Sequence, residues 1–143
     1  MPALFTTTAS ERLTGYRRAL AEANVDFRPE YFVEADYSTK GGYLAARRLL
    51  ELPDPPQAIF CGNNAMTQGA MRAFTEWEGD TSQMSLASFD PLPWASDPTH
   101  RVVSLEVPSY EMGRTAAQLL LERIRGDVVG VARRIELGAG SVR

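Results

Sequence analysis

Apolar and polar residues follow two different periods along this chain, one typical of strands and one typical of helices. Short apolar runs indicate buried strands, and apolar residues that recur at steps of three and four indicate one face of a helix. The predicted strands cover about residues 31–35, 58–61, 84–89, 102–107 and 132–137, and the predicted helices about residues 9–23, 39–52, 65–77 and 109–125. Because strands and helices alternate, we predict an α/β fold of three layers, with one parallel sheet and helices on both faces.

Residues that start or stop helices support these boundaries. Thr8 and Glu11 have the spacing of a capping box, in which the hydroxyl and the carboxylate satisfy free amides at a helix start. A proline-rich stretch that begins at Pro53 ends the second predicted helix, since proline breaks the amide ladder. Gly126 is expected to end the last helix. No repeat or low-complexity tract interrupts the pattern, so we expect a single domain.

Polar and aromatic residues follow three of the predicted strands. Tyr37 comes two residues after the first strand, Asn63 two residues after the second, and Asp90 directly after the third. In open parallel sheets, ligands bind beyond the carboxyl ends of the strands. The pattern therefore predicts a small-molecule site at that edge of the sheet.

The composition and charge of the chain limit the kinds of molecule that it is expected to bind. The chain has 143 residues, 44% of them hydrophobic and 23% charged, as in an ordinary soluble domain that can bury a core. Its net charge of -3 and its pI near 5.2 argue against nucleic acid as a direct partner, because a DNA-binding face is usually basic. The pair Arg133 and Arg134 is interpreted as a solvated strand end, since two charges attract a phosphate backbone only weakly.

Cysteine usage and hydropathy bear on the compartment. Cys61 is the single cysteine, so no internal disulfide is possible and a reducing compartment is expected. No apolar run approaches the roughly 20 residues needed to span a bilayer. Residues 1–6 lack the basic and long apolar regions of a secretory signal. We expect a cytoplasmic protein with no membrane partner, while a mature periplasmic protein without its signal would look the same.

The sequence offers little support for catalysis. His100 is the only histidine, and neither a catalytic triad nor a dyad with Cys61 has a supporting local motif. His, Cys and carboxylate residues are not clustered at the spacing that a metal requires. We therefore predict that the chain is not an enzyme and uses no cofactor or metal, and that Cys61 is a small apolar core residue.

Five segments, in order and with matching spacing, resemble motifs of the LacI/GalR family of transcriptional regulators. Residues 11–16 are similar to "RL-x-G-aromatic", and residues 56–70 to "P-x-A-[IV]-F-x-x-N-D-x-M-A-x-G-A". Residues 35–43, 88–90 and 108–113 resemble "G-D-aromatic … G-aromatic", "G-[FY]-D" and "P-x-x-x-[ML]-G". Each motif alone is weak, but together they make a specific resemblance that covers most of the chain.

The resemblance implies a particular part of such a regulator. Members combine an N-terminal helix-turn-helix, which reads DNA, with a periplasmic-binding-protein-like module of two subdomains. This chain resembles the C-terminal effector-binding subdomain (about residues 1–107) plus a crossover helix and strand (about residues 108–137), which is half of a type I module. The helix-turn-helix and most of the N-terminal subdomain are expected to be absent. The long helix after Pro108 is therefore expected to lack a partner in its own chain.

Carried over position by position, the resemblance implies a set of ligand-binding residues. Arg12, Asn63 and Asp90 correspond to the polar effector contacts, Tyr37 corresponds to the aromatic one, and Trp94 follows in the next loop. A ring face stacks on a sugar or base, and charged and amide groups pair with hydroxyls or amines, so a sugar or a purine is the expected effector. Structural alternatives stay open: Asn63 as a helix cap, Tyr37 in the core, Arg12 in a surface ion pair, Asp90 in a turn, and Trp94 closing the core edge.

Together these observations predict the effector-sensing and dimerisation portion of a LacI-type regulator. A homo-oligomer, most simply a dimer, is expected because a half-module leaves apolar surface uncovered. Operator DNA is expected to be reached only through a domain absent from this chain. Two alternatives stay open: a fragment of a periplasmic-type sugar-binding protein, and a stand-alone oligomerisation module with a vestigial cleft.

Overall fold

The fold follows the predicted alternation of helices and strands. The computed structural model describes residues 7–92, 101–126 and 130–140. Within these ranges, the helices are α1 (Thr7–Glu22), α2 (Thr39–Leu50), α3 (Asn64–Thr75) and α4 (Ser109–Arg125), and the strands are β1 (Ala58–Cys61), β2 (Ser85–Ser88) and β3 (Arg101–Ser104). A short 3-10 helix, Pro29–Tyr31, precedes α2. All four predicted helices and three of the five predicted strands are therefore present.

The sheet is parallel, with its strands in the order β1, β2, β3. Ala58 is aligned with Ser85, and Ser85 with Arg101, so the three strands begin in register. α3 carries the chain from β1 to β2, because parallel neighbours need a crossover connection. The carboxyl ends of the strands consequently lie along one edge of the sheet, which confirms the predicted α/β architecture.

The hydrophobic core lies between one face of the sheet and the helices α2 and α3. β1 contributes alternate residues, Ile59 and Cys61, which are 8% and 6% exposed. Leu86 of β2 and Phe74 of α3 are each 1% exposed. Burying a side chain of this size stabilises a fold by roughly 1.5–3 kcal/mol relative to leaving it exposed. This layer therefore holds the sheet and the two helices together.

Two glycines allow α2 and α3 to approach each other closely. A Cβ atom at Gly42 would collide with the backbone of Met66, and one at Gly69 would collide with the backbone of Thr39 and Tyr43. Since interiors are close-packed, a larger residue at either position would push the helices apart. The amino-terminal turns of the two helices are thus fixed relative to each other.

α1 packs on the opposite face of the sheet. Tyr16 stacks on Phe60, with ring centroids 6.3 Å apart and an angle of 19° between the rings. Phe60 alternates with Ile59 and Cys61 along β1, so it points away from the core formed with α2 and α3. Helices therefore cover both faces, as predicted from the sequence.

The first predicted strand is wrong, because residues 31–35 do not join the sheet. Pro29 has a fixed φ and begins a 3-10 helix that continues to Tyr31. Residues 32–36 then run without regular structure. A cavity of about 180 Å³ lies between this stretch and β1, and no backbone hydrogen bond between them is seen in the described residues. β1 is therefore an edge strand.

The last predicted strand is also wrong, since residues 132–140 have no regular structure. Ile135, which lies within this predicted strand, is 50% exposed. A strand needs a hydrogen-bonded neighbour, but the backbone hydrogen bond from the N–H of Gly140 to the carbonyl of Glu106, at 2.8 Å, lies beyond the end of β3 and forms no strand pairing. Arg133 and Arg134 form exposed ion pairs with glutamates, so the pair is solvated as predicted although it ends no strand.

The helices begin and end within two residues of their predicted bounds, but α1 does not begin with the capping box that was predicted for it. α1 begins at Thr7, so Thr8 lies inside the helix and the predicted capping box is wrong. Ser38 caps α2, as its hydroxyl accepts a hydrogen bond of 2.9 Å from the backbone N–H of Gly41. Gly126 ends α4 with a φ of 79°, a conformation that glycine adopts without strain.

α4 stands apart from the rest of the fold and has no buried residue. Tyr110 is 79% exposed and Ile124 is 71% exposed, and Met112, Leu120 and Leu121 are exposed as well. An amphipathic helix normally buries its apolar face. Within the described part of the chain, no other element covers the apolar face of α4. Of the helices described, none is both long and apolar enough to cross a membrane.

Candidate ligand-binding site

Asn63 lies at the junction of β1 and α3 and makes two side-chain hydrogen bonds. Its Oδ1 accepts a bond of 2.8 Å from the backbone N–H of Met66, which caps α3. Its Nδ2 donates a bond of 3.0 Å to the backbone carbonyl of Tyr37. Asn63 is therefore a helix cap, one of the two roles open from the sequence, and it also ties β1 to the loop that precedes α2.

Tyr37 has an unusual backbone conformation, with a φ of 62°. The left-handed region is uncommon for a bulky residue, and such residues cluster at functional sites, where the surrounding structure holds them. Its side chain is half-buried and lies beside Gly62, since a Cβ placed on Gly62 would be 3.8 Å from Cε1 of the ring. Tyr37 is thus located at the carboxyl edge of the sheet rather than in the buried core.

Arg12 reaches this edge from α1. Its guanidinium carbon lies 3.8 Å from the centroid of the Phe89 ring, a cation–π arrangement. Its Nη1 donates a hydrogen bond of 2.5 Å to the carbonyl of Gly62. Its Nε is buried and has no hydrogen-bond partner among the described residues. Arg12 therefore spans the ends of β1 and β2 and offers an unused donor, and the alternative of a surface ion pair is not what the structure shows.

Asp90 and Trp94 follow the end of β2. Phe89 is held there by a backbone hydrogen bond of 3.1 Å from its N–H to the carbonyl of Cys61. Asp90 is the next residue in the sequence and is half-buried. Trp94 lies outside the described residues.

The loop that carries Tyr37 is stabilised on its other side by Asp36 and Ser38. One carboxylate oxygen of Asp36 accepts hydrogen bonds from the hydroxyl of Ser38, at 2.6 Å, and from its backbone N–H, at 3.1 Å. These two donors hold the pKa of the Asp36 carboxyl below its usual value. The loop is therefore fixed to the amino terminus of α2 as well as to Asn63.

A buried hydroxyl pair supports the site from below. Thr67 and Ser88 are 0% and 2% exposed, and their hydroxyl oxygens lie 2.9 Å apart. The Thr67 hydroxyl also donates to the carbonyl of Asn63, at 2.8 Å. Because a hydroxyl has one proton, Ser88 is expected to donate to Thr67. The pair joins α3 to β2 directly beneath the edge that carries the candidate residues.

Two concave spaces meet at Arg12. The cavity of about 180 Å³ between residues 32–36 and β1 is lined mainly by apolar side chains and includes Tyr37 at its border. A more open groove of about 550 Å³ lies between α1 and the sheet and is bordered by Phe89. Of the candidate residues, Arg12 lines both spaces and Tyr37 lines the first, whereas Asn63 and Asp90 line neither. Two of the candidates thus border concave surface, as is usual at small-molecule sites.

The chemistry of this edge suits binding better than catalysis. It presents a guanidinium, an aromatic ring and a carboxylate in Arg12, Tyr37 and Asp90. No group of three His, Cys, Asp or Glu side chains suited to a metal ion occurs among the described residues. Burial raises the pKa of the Cys61 thiol to about 11, so this thiol is poorly suited to act as a nucleophile and is a core residue, as interpreted from the sequence.

Two contributors were missed from the sequence. Phe89 was interpreted as a strand residue, yet its ring supports the guanidinium of Arg12. Gly62 was not singled out, yet its carbonyl accepts from Arg12, and its lack of a side chain leaves room for the methyl group of Met66, which a Cβ would approach to 3.1 Å. The sequence could have indicated both residues only through their positions, since Gly62 precedes Asn63 and Phe89 precedes Asp90. Residues next to each other at the end of a strand lie at the same edge of the sheet.

The parallel sheet, the helices on both faces and the polar carboxyl edge define one half of a two-lobed ligand-binding module. Comparison with known proteins agrees. Residues 3–142 match the family described as periplasmic binding protein-like domain. The chain belongs to this family.

Its relatives are transcriptional repressors. The chain is 32% identical over 125 residues to the HTH-type transcriptional repressor CytR of Escherichia coli K12, and 35% identical over 119 residues to the ribose operon repressor of the same strain. These matches cover 87% and 82% of this chain but 37% and 36% of the relatives, so the chain spans little more than a third of their length. Similarity to repressors confirms the resemblance to the LacI family and agrees with the prediction that the chain is not an enzyme.

A solved structure gives the same result for the fold. The transcriptional regulator CelR, determined as a complex with cellobiose, superposes with a TM-score of 0.71 at 30% sequence identity. The match covers 85% of this chain and 37% of CelR. The α/β architecture is therefore that of LacI-type effector modules, as predicted.

Proposed function

We propose that this chain is the effector-sensing part of a LacI-type transcriptional regulator and forms one side of its ligand cleft. The observation that supports this most directly is the convergence of Arg12, Tyr37, Asn63 and Asp90 at one edge of the sheet. Arg12 contacts the residues next to Asn63 and Asp90, and Asn63 contacts Tyr37. Four residues from four separate segments of sequence are thus brought to the same edge of the sheet.

The proposed effector is a small sugar or a purine-type compound. An aromatic face takes the apolar side of either by stacking, while a guanidinium fork and a carboxylate pair with hydroxyl or amine groups. The Nε of Arg12 is buried and has no partner in the described part of the chain, which supports a ligand acceptor at that position, because a buried donor without a partner is costly. The names of a ribose operon repressor and a cellobiose-bound regulator among the similar proteins favour the sugar class.

The remaining parts of the proposal concern the whole protein. We assign residues 1–107 to the effector-binding subdomain and residues 108–137 to the crossover segment, within one domain. Operator DNA would be contacted through a helix-turn-helix outside this chain, in the cytoplasm. Effector binding would change DNA affinity by shifting the two lobes between arrangements that bind the effector unequally.

The test is a titration of the isotope-labelled chain with D-ribose, cellobiose and adenosine, followed by amide chemical shifts. We expect one compound to shift the amides of Tyr37, Asn63 and Asp90, and expect Tyr37→Ala and Asp90→Ala to weaken the binding that causes these shifts. Arg12→Ala should do the same, whereas Arg18→Ala, on the solvent side of the same helix, should not. Unchanged binding in Tyr37→Ala and Asp90→Ala would exclude this edge as the site.

A second candidate function, self-association, is favoured by one specific observation. The apolar face of α4 is exposed along the helix, including Tyr110 and Ile124. Surfaces of this kind usually find a partner. We propose a homodimer formed through α4, and expect light scattering at tens of micromolar to give twice the monomer mass. A double Leu120→Lys and Ile124→Lys variant should be monomeric, and a monomeric wild-type chain would refute the dimer.

A further inference from the structure

We propose that Asn63 is a positioning residue, which holds Tyr37 in the left-handed conformation that presents its ring at the edge of the sheet. This inference rests on the proposed function, since it gives Asn63 an indirect part in effector binding. Two observations lead to it: the φ of Tyr37 and the two hydrogen bonds of the Asn63 side chain.

Tyr37 does not adopt its conformation because of its own side chain. Outside glycine, a positive φ is seen mostly for Asn, Asp and His, whose short polar groups stabilise it locally. Tyrosine has no such group near its backbone, so the conformation at 62° must be held by its surroundings. The direct contact available is the hydrogen bond from Nδ2 of Asn63 to the carbonyl of Tyr37.

The Asn63 amide can hold Tyr37 firmly because it is itself fixed. Its Oδ1 is engaged by the backbone N–H of Met66 at 2.8 Å, which sets the plane of the amide. With Oδ1 in the cap, Nδ2 points to Tyr37. Only a side chain with an acceptor and a donor on one planar group makes both bonds, and Asn has both within this reach.

The loop is anchored on its far side as well. Ser38, the residue after Tyr37, bonds to Asp36 and caps α2. The peptide of Tyr37 is therefore held between the amino termini of α2 and α3, which Gly42 and Gly69 bring together. Asn63 supplies the α3 half of this clamp, and its loss would free the Tyr37 ring to leave Gly62.

Asn63→Asp is the sharpest variant, because aspartate is as good a helix cap but replaces the Nδ2 donor by an oxygen that faces the Tyr37 carbonyl. Asn64→Asp is the matched control. It places the same charge one residue further on, at an exposed position. Any effect of charge at the start of α3 appears in both variants, and any effect of the lost donor appears only in Asn63→Asp.

The first measurement needs no ligand: the HN–Hα coupling and the Cα and Cβ shifts of Tyr37, which report its φ. We expect left-handed values in wild type and Asn64→Asp, and values moved toward the extended region in Asn63→Asp. Left-handed values that persist in Asn63→Asp would overturn the proposal, whatever the chain binds.

The second measurement is affinity for whichever of D-ribose, cellobiose and adenosine perturbs the wild-type spectrum. If the left-handed population of Tyr37 falls to about a tenth, affinity falls about tenfold. In a Tyr37→Ala background, Asn63→Asp should weaken residual binding no further, and a second, additive loss would show direct contact and refute the indirect role. If none of the three compounds binds wild type, the proposed function fails, while the φ measurement still decides the role of Asn63.

Discussion

The hydroxyl pair beneath the site gives the most quantitative prediction. Thr67→Val keeps the shape of the side chain but removes its hydroxyl, so Ser88 loses its partner in a site that is 2% exposed. A buried polar group left without a partner costs about 1–3 kcal/mol. The carbonyl of Asn63 still accepts from the backbone N–H of Thr67 at 3.1 Å, so the expected loss comes from Ser88.

We therefore expect Thr67→Val to lower the free energy of unfolding by about 1–3 kcal/mol. For a domain of this size, the midpoint of thermal unfolding should fall by roughly 2–4 °C per kcal/mol. The assay is urea unfolding followed by circular dichroism, with an unchanged m-value as evidence that the change lies in stability. Thr75→Val is the control, because Thr75 is an exposed threonine on the same helix and should change stability by less than about 0.5 kcal/mol.

A double variant tests whether Thr67→Val lowers stability because it leaves the hydroxyl of Ser88 without a partner. Thr67→Val with Ser88→Ala removes both partners, so no buried hydroxyl is left unpaired, and the double variant should be less destabilised than the sum of the single ones by about 0.5–3 kcal/mol. Additive losses would mean that the 2.9 Å contact contributes nothing and that the cost of Thr67→Val has another origin.

Two further predictions concern titrating groups. Because burial raises the pKa of Cys61 to about 11, its reaction with a thiol reagent at pH 8 should be slower than that of the unfolded chain by at least about 100-fold. The carboxylate of Asp54 accepts from Arg28 at 2.7 Å, which lowers its pKa, so the stability it contributes is present above its unfolded pKa and is lost as pH falls through the folded value. Arg28→Gln should raise the pKa of Asp54 toward its ordinary value, as measured by carboxyl NMR titration.

The predictions for Cys61 and Asp54 each have a separate control or contradicting outcome. Equal thiol reactivity in native and urea-unfolded protein would show that the strand carrying Cys61 opens readily. For the carboxylate, Asp80 provides the internal reference, since its pKa is lowered by the hydroxyl of Ser82 and should not respond to Arg28→Gln. If Arg28→Gln changed the pKa of both Asp54 and Asp80, the cause would be a general loss of structure rather than the loss of one ion pair.

Features that depend on neighbours in sequence were predictable. Helical periodicity located α2, α3 and α4 to within two residues, and the apolar run Ala58–Cys61 was identified as β1. Alternation of helices with strands implies parallel pairing, and parallel pairing places the residues after each strand on one edge. That is why the sequence predicts that Asn63 and Asp90 lie at the same edge of the sheet.

Pairing between distant segments was not predictable. Residues 31–35 and 132–137 have the composition of strands, but a strand exists only if a sheet edge lies within hydrogen-bond distance. The 3-10 turn at Pro29 and the cavity beside β1 keep the first of these segments from pairing. Both predictions failed for the same reason, because β-structure is decided by the partner as much as by the segment.

The chemistry of the site divides in the same way. By itself the sequence determined which residue types stand at the carboxyl edge, because strand ends follow from local patterns. Only the tertiary structure decided which groups these residues contact. The guanidinium of Arg12 donates to the carbonyl of Gly62, 50 residues away in the sequence, and the amide of Asn63 donates to the carbonyl of Tyr37, 26 residues away. Contacts over such separations depend on how the helices and the sheet pack, and local sequence does not encode that packing.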